Sequence, residues 1–168
     1  MTIKLVVTYM ELTAPPPGPP LALPVAGAGI ARELIGLAAY LDLYRAIGGP
    51  QGWDQRLRMD RAALASHLAA PSSDIHLLRL DGRPAGLCEI DRAGAPDAEL
   101  VNFGLLPEVQ GRGLGPCLLD SALRATFAAG VTRIWLHTDE WDHPAAQPLY
   151  RRMGFRIFRE ALEDVTDL

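Results

Sequence analysis

The run Leu105-Leu106-Pro107-Glu108-Val109-Gln110-Gly111-Arg112-Gly113-Leu114-Gly115 constrains this chain more than any other, because it reads as a strand end, a glycine-rich turn and the first turn of a helix. Ahead of it, Leu100 to Leu106 forms an alternating apolar run. Behind it, Leu118, Leu119, Ala122, Leu123 and Phe127 recur at helical spacing. A helix N-terminus presents unpaired N–H groups and the positive end of its dipole, and glycines let an anion approach that backbone without meeting a Cβ. A phosphate is the expected guest.

Elimination narrows which phosphate-bearing molecule that is. A P-loop needs Gly-Lys followed by Ser or Thr at the end of the turn, whereas Gly115 is followed by Pro116. A dinucleotide fingerprint starting at Gly111 needs its third glycine at position 116, which Pro116 also excludes. The pattern that remains, Gln110-x-x-Gly113-x-Gly115, resembles the acetyl-CoA signature of the GCN5-related N-acetyltransferase (GNAT) family. A second stretch, Asp142-His143-Pro144-Ala145-Ala146-Gln147-Pro148-Leu149-Tyr150-Arg151-Arg152-Met153-Gly154-Phe155, resembles that family's other recurrent segment, a loop and helix ending in Leu-Tyr, with a Gly-Phe pair before the last strands. The two segments stand in the family's order and cover about the C-terminal half of the chain.

The resemblance implies an α/β fold: a mixed, strongly twisted, mostly antiparallel sheet with helices on both faces and a central parallel strand pair splayed at the cofactor site. It implies that Gln110, Gly111, Arg112, Gly113, Leu114 and Gly115 hold the pyrophosphate of acetyl-CoA, a cosubstrate, and that the strand carrying Phe103 and Leu105 pairs with the pantetheine arm. His143 falls where many members have an asparagine that contacts coenzyme A. Tyr150 falls at the general acid, which protonates the departing thiolate; a thiol of pKa ~8.5 and a phenol of ~10 can share that proton without a metal. For the general base the resemblance offers Glu99, from its spacing before Gln110; Glu89, on the neighbouring predicted strand, is the second candidate, and His137, where some members hold a catalytic glutamate, the third. Pro116 departs from the family by deleting a backbone donor just past the turn, at a position where a helix tolerates proline. Lower pyrophosphate affinity is expected, partly offset by the charge of Arg112.

Composition agrees with a folded enzyme. The 168 residues suit one domain over 1–168, since a chain of this size buries roughly 70% of its unfolded surface. A net charge of -4 argues against a nucleic-acid partner and favours a basic acceptor. No apolar run is long enough to span a bilayer and no leader cleavage pattern follows the N-terminus, so a cytoplasmic protein without a membrane partner is expected. Cys88 and Cys117 read as reduced core thiols. His137, Asp139, Glu140, Asp142 and His143 lack a recognised ligand spacing, so no metal is expected.

Along the chain, Ile3, Leu5, Val7 and Tyr9 alternate as one inward face of a first strand, ending at the proline run Ala14–Pro20, which reads as a stiff connector or a polyproline ligand. The glycines Gly27 and Gly29 imitate a dinucleotide fold, but Arg32 stands at the third glycine; Ile30, Leu34, Leu37, Leu41 and Tyr44 instead form one helical stripe ended by Gly48-Gly49-Pro50. Trp53 reads as a substrate-facing or packing residue. A second helix follows, capped by Asp60 and carrying Leu64 and Leu68. Strands are expected over 75–80, 84–90 and 98–105, and after the glycine-turn helix over 132–138, the last parallel to the strand before the turn.

The function these readings support is acetyl transfer to the primary amine of a small molecule or peptide, by direct attack in a ternary complex. No acetyl-cysteine is expected, because neither cysteine stands beside an obvious base. The alternative is a non-catalytic acyl-CoA-binding or regulatory module of the same fold, and a third reading is a nucleotide site at Gly27. A homodimer is what family analogy offers.

Overall fold

The computed structural model describes residues 2–166. Seven strands and five helices follow in the order β1 (Thr2–Leu12), β2 (Ala28–Arg32), α1 (Leu37–Gly48), α2 (Gln55–Arg58), α3 (Arg61–Ala69), β3 (Ser73–Leu80), β4 (Arg83–Asp91), β5 (Asp97–Leu105), α4 (Leu114–Ala128), β6 (Arg133–Asp139), α5 (Ala146–Arg152) and β7 (Arg156–Thr166). They build one sheet of spatial order β2-β3-β4-β5-β6-β1-β7. Every neighbouring pair is antiparallel except β5 and β6. That is the mixed sheet expected above. No helix among the described residues is long and apolar enough to cross a membrane.

Two apolar clusters cover opposite faces. On one, Leu114, Leu118, Leu119, Ala122 and Leu123 of α4 pack with Leu149 and Tyr150 of α5 against Ile134, Leu136, Leu100 and Met10. On the other, Tyr40, Leu43, Tyr44 and Ile47 of α1 meet Leu64 and Leu68 of α3 over Ile75, Leu77 and Leu87. Each helix buries the stripe that its 3.6-residue period brings to one side. Asp60 starts α3 as anticipated, its Oδ2 accepting from the Ala63 N–H at 3.0 Å. Trp53 packs beside Tyr44, with ring centroids 5.4 Å apart, and occupies the space a side chain on Gly48 would need. That is a packing role.

Gly86 sits in a close contact among β3, β5 and α4. A Cβ there would lie 2.5 Å from Leu105 Cδ2 and 3.1 Å from both Leu118 Cδ2 and Leu78 Cβ. Gly86→Ala is therefore expected to lower stability by about 1–3 kcal/mol, read as a lower urea midpoint at unchanged m-value.

Two expectations are corrected. The helix expected from Ile30 begins only at Leu37, because Ala28–Arg32 pairs antiparallel with His76–Leu80 and completes the sheet edge. Backbone pairing with an otherwise open strand overrides the helical spacing. Leu34 is accordingly 87% exposed. Second, the inward residues of β1 change parity: Leu5 and Val7 are buried, but so are Met10 and Leu12 of the opposite face, while Ile3 is 40% exposed. The strand lies inside the sheet and is covered on different faces at its two ends. The connector reading of the proline run, by contrast, holds: the end of the run and the residue after it lie along α4 as a strap. Arg124 Nη2 donates to the carbonyls of Gly18 (3.0 Å) and Pro19 (3.3 Å), and Leu21 N–H donates to Asp120 Oδ2 at 3.0 Å.

Candidate active site

Only three residue pairs hold the parallel strands together: Asp97 with Arg133, Ala98 with Ile134 and Glu99 with Trp135. Beyond Glu99 the strands separate. A bulge assists the separation, since Glu89 of β4 opposes Asn102 and Ile90 opposes Leu100, leaving Val101 of β5 as the extra residue. Glu99 thus stands at the crotch of a gap that opens toward the C-terminal ends of two parallel strands, the end at which open α/β sheets receive ligands.

At that end β5 runs into the glycine turn. Gly111 and Gly113 adopt φ of 76° and 77°, a left-handed geometry that favours glycine, and Gly113 is the N-cap of α4. The N–H groups of Gly111, Arg112, Gly113, Leu114 and Gly115 donate to no protein acceptor among the described residues. No side chain caps the helix, and a Cβ on Gly111 would meet nothing within 4 Å. These five donors without a protein partner lie in and just before the first turn of a 15-residue helix, at the positive end of its dipole, the kind of end that receives anions. Pro116 is the third helical residue, where it removes one further donor and leaves the helix intact. The Gln110 side chain is turned back, its Nε2 donating to the Leu105 carbonyl at 3.2 Å, and Arg112 Nη2 reaches the Glu108 carbonyl at 3.3 Å.

Tyr150 lies in α5 on the α4 side of the sheet. Its ring packs against Phe103 and Phe155, with centroids 6.1 and 5.8 Å away. Its hydroxyl has no protein hydrogen-bond partner among the described residues, and burial, reinforced by the negative charge of Asp142, pushes the phenol well above its ordinary pKa. Glu99 faces the other side, its Oε1 3.8 Å from His137 Nε2. Burial raises the Glu99 carboxyl above its ordinary pKa, and His137 opposes part of that rise. Tyr150 and Glu99 thus lie on opposite faces of the sheet.

The model of the acetyltransferase (GNAT) family matches residues 37–155. The chain belongs to that family. Among curated relatives, mycothiol acetyltransferase of Nocardioides sp. is 39% identical over 106 residues, 60% of this chain and 34% of that protein. This chain matches about a quarter to a third of the length of the first such relatives. Among solved structures, a GCN5-related N-acetyltransferase from Sphaerobacter thermophilus superposes with a TM-score of 0.66 at 22% identity, covering 94% of this chain and 50% of that one. The ribosomal-protein-S18-alanine N-acetyltransferase of Escherichia coli gives a TM-score of 0.61 at 22% identity, over 76% of each chain. At these identities the superpositions speak to the fold.

Within this GNAT domain the remaining candidates fall in different places. His143 is exposed, and its Nδ1 accepts from the Ala145 N–H at 3.1 Å, leaving Nε2 for any ligand. Asp142 turns inward, accepting from Thr138 Oγ1 at 2.6 Å. No group of three His, Cys, Asp or Glu side chains among the described residues is arranged to hold a metal ion. Glu89 is completely buried. Its carboxylate accepts from Arg56 Nη2 (2.6 Å), Tyr40 Oη (2.6 Å) and Asn102 Nδ2 (2.7 Å), and His67 Nε2 lies 3.3 Å away. Burial alone would raise this carboxyl; the His67 and Arg56 interactions and the Tyr40 and Asn102 hydrogen bonds outweigh it and hold the pKa below the ordinary value. A sealed carboxylate of that kind is not available to an incoming amine. Sequence reading singled out Glu89 but missed Arg56, Tyr40, His67 and Asn102.

Proposed function

We propose that this chain is an acetyl-CoA-dependent N-acetyltransferase that moves an acetyl group to a primary amine by direct attack in a ternary complex. The observation that carries the reading is the cradle of five free N–H groups at 111–115, opening onto a strand gap with Glu99 at its crotch. A pyrophosphate suits those donors, and the β5 backbone beside Phe103 and Leu105 borders the space for a pantetheine arm. Acetyl-CoA bound there supplies a thioester, an acyl group activated toward amines. The chain supplies the proton handling. An amine reaches the site mainly as its ammonium ion, and Glu99, whose carboxyl burial raises above its ordinary pKa and which His137 flanks, takes the proton. Tyr150 is the proton donor of this reading: its phenol gives a proton to the departing sulfur and regains one from the attacking nitrogen as the amide forms. Cys88 is completely buried and its thiol is pushed far above its ordinary pKa, which gives no support to an acetyl-cysteine route.

The relatives' names point to two acceptor kinds, the small molecule of mycothiol acetyltransferase and the protein alanine of the S18 enzyme; a small-molecule or peptide amine is the class proposed here. The test is a screen of amines with acetyl-CoA, following thiol release, on wild type and Glu99→Gln. The variant is expected to lose about a hundredfold in kcat/KM at neutral pH. The deficit should shrink as pH approaches the amine's own pKa, where the amine needs no base. Unchanged activity across pH would remove Glu99 from the mechanism, and absence of turnover with every amine would favour a binding module.

A further inference from the structure

The buried group around Glu89 lies on the same sheet face as Glu99. Arg56 belongs to α2, a helix of four residues between α1 and α3 that packs too little apolar surface to fix itself. It is nonetheless buried, at 6% exposure, because its guanidinium penetrates to Glu89. His67 of α3 approaches the pair from the side, 3.2 Å from Arg56 Nη2 and 3.3 Å from Glu89 Oε1, and Tyr40 closes it from α1. The fourth partner, Asn102, comes from the sheet. It is the residue directly after the β5 bulge, and Glu99 stands two residues before that bulge. One carboxylate therefore ties three helices to the strand segment that carries the proposed base.

We infer that Glu89, Arg56 and Asn102 are positioning residues: the network clamps the bulged part of β5 against α2 and so fixes the Glu99 carboxylate at the mouth of the strand gap. The inference rests on the reading of Glu99 as the base. Extended strand alone would not hold this geometry, since a bulge leaves its extra residue outside the ladder and bends the strand locally. The clamp is made of charge-assisted hydrogen bonds at 2.6–2.7 Å that only this arrangement satisfies. The network also borders Glu99 electrically. The charged and titratable groups facing Glu99 are Asp91 and Glu89 from β4, His137 from β6, Arg56 from α2 and Tyr9 from β1. Of these, Glu89 opposes ionisation of Glu99 and Arg56 favours it.

The test follows the Glu99 side chain by carboxyl and methylene NMR in wild type, in Glu89→Gln, and in the double variant Arg56→Met with Glu89→Gln. Glu89→Gln leaves the Arg56 cation unbalanced, so the Glu99 titration midpoint is expected to move to lower pH. The double variant has no unpaired buried charge and is expected to fold, since buried pairs usually tolerate joint replacement by apolar or neutral groups. There the midpoint should return toward that of wild type, while Glu99, no longer clamped, should populate several χ rotamers instead of one. If Glu89→Gln fails to fold, the double variant decides alone. A single wild-type-like Glu99 rotamer in the double variant would overturn the inference, as would a midpoint in folded Glu89→Gln equal to that of wild type. Neither readout uses acetyl transfer, so failure here leaves the acetyltransferase reading standing, and failure of that reading in an amine screen leaves this result interpretable.

Discussion

Replacing Tyr150 with phenylalanine is expected to lower kcat roughly 10²- to 10⁴-fold, the range that a positioned proton donor contributes. That is about 2.7–5.4 kcal/mol of barrier. The substitution keeps the ring, so the contacts with Phe103 and Phe155 survive and the protein should unfold at nearly the wild-type urea concentration. It removes only the hydroxyl, the group proposed to carry the proton. Acetyl-CoA affinity should be unchanged, because the cradle at 111–115 is untouched. Steady-state kinetics with calorimetric measurement of acetyl-CoA Kd separates the two: lost turnover at constant Kd is the expected result, and full turnover would transfer the acid role to another group or to water.

The second large effect falls on stability. Glu89→Gln should destabilise the fold by about 3–5 kcal/mol at neutral pH, because it strands the Arg56 guanidinium in the interior with its strongest acceptor neutralised. A domain of this size has about 5–15 kcal/mol in total, so the variant should be folded but fragile. The pH dependence has a definite sign. The Glu89 carboxyl is held below its ordinary pKa of 4.5 in the folded protein, so its contribution is complete above pH 4.5 and disappears as pH falls through the lower folded value. Wild type and variant should therefore differ widely in urea midpoint at pH 7 and converge on acidification, when Glu89 of the wild type takes up the proton that leaves Arg56 equally unpaired. A constant difference down to the acid limit would mean that the loss comes from packing alone.

Much of this molecule is legible locally. The strands from Ser73 to Leu105 alternate or run apolar between glycine and proline turns, and the helix from Leu114 carries its apolar residues at a period the sheet can receive. The glycine turn is legible for a stronger reason: Gly111 and Gly113 need positive φ, a requirement set by the backbone itself. What escapes local reading depends on distant partners. Ala28–Arg32 has helical spacing and becomes a strand only because β3 offers an open edge. The Glu89 network escapes for the same reason, since Tyr40, Arg56, His67, Glu89 and Asn102 share no spacing and meet only after three helices dock. One local signal was present: a glutamate between Cys88 and Ile90, in a stretch otherwise apolar from Ala85 to Ile90, needs a buried partner or a retained proton. Glu99 and His137, offered as rival bases, prove to be neighbours, which the parallel register of β5 and β6 dictates and spacing within either strand does not.

The central claim is that the cradle and the strand gap are built for acetyl-CoA, and titrating the protein with acetyl-CoA by calorimetry and thermal shift, with NAD and ATP as controls, tests it most directly. At a hundred times its Kd, acetyl-CoA should stabilise the fold by ~2.7 kcal/mol, a rise in Tm of roughly 5 °C or more. NAD and ATP should give less at equal concentration. Folded protein that shows no acetyl-CoA binding, or that binds NAD or ATP as well, would contradict the account and take the roles proposed for Tyr150 and Glu99 with it.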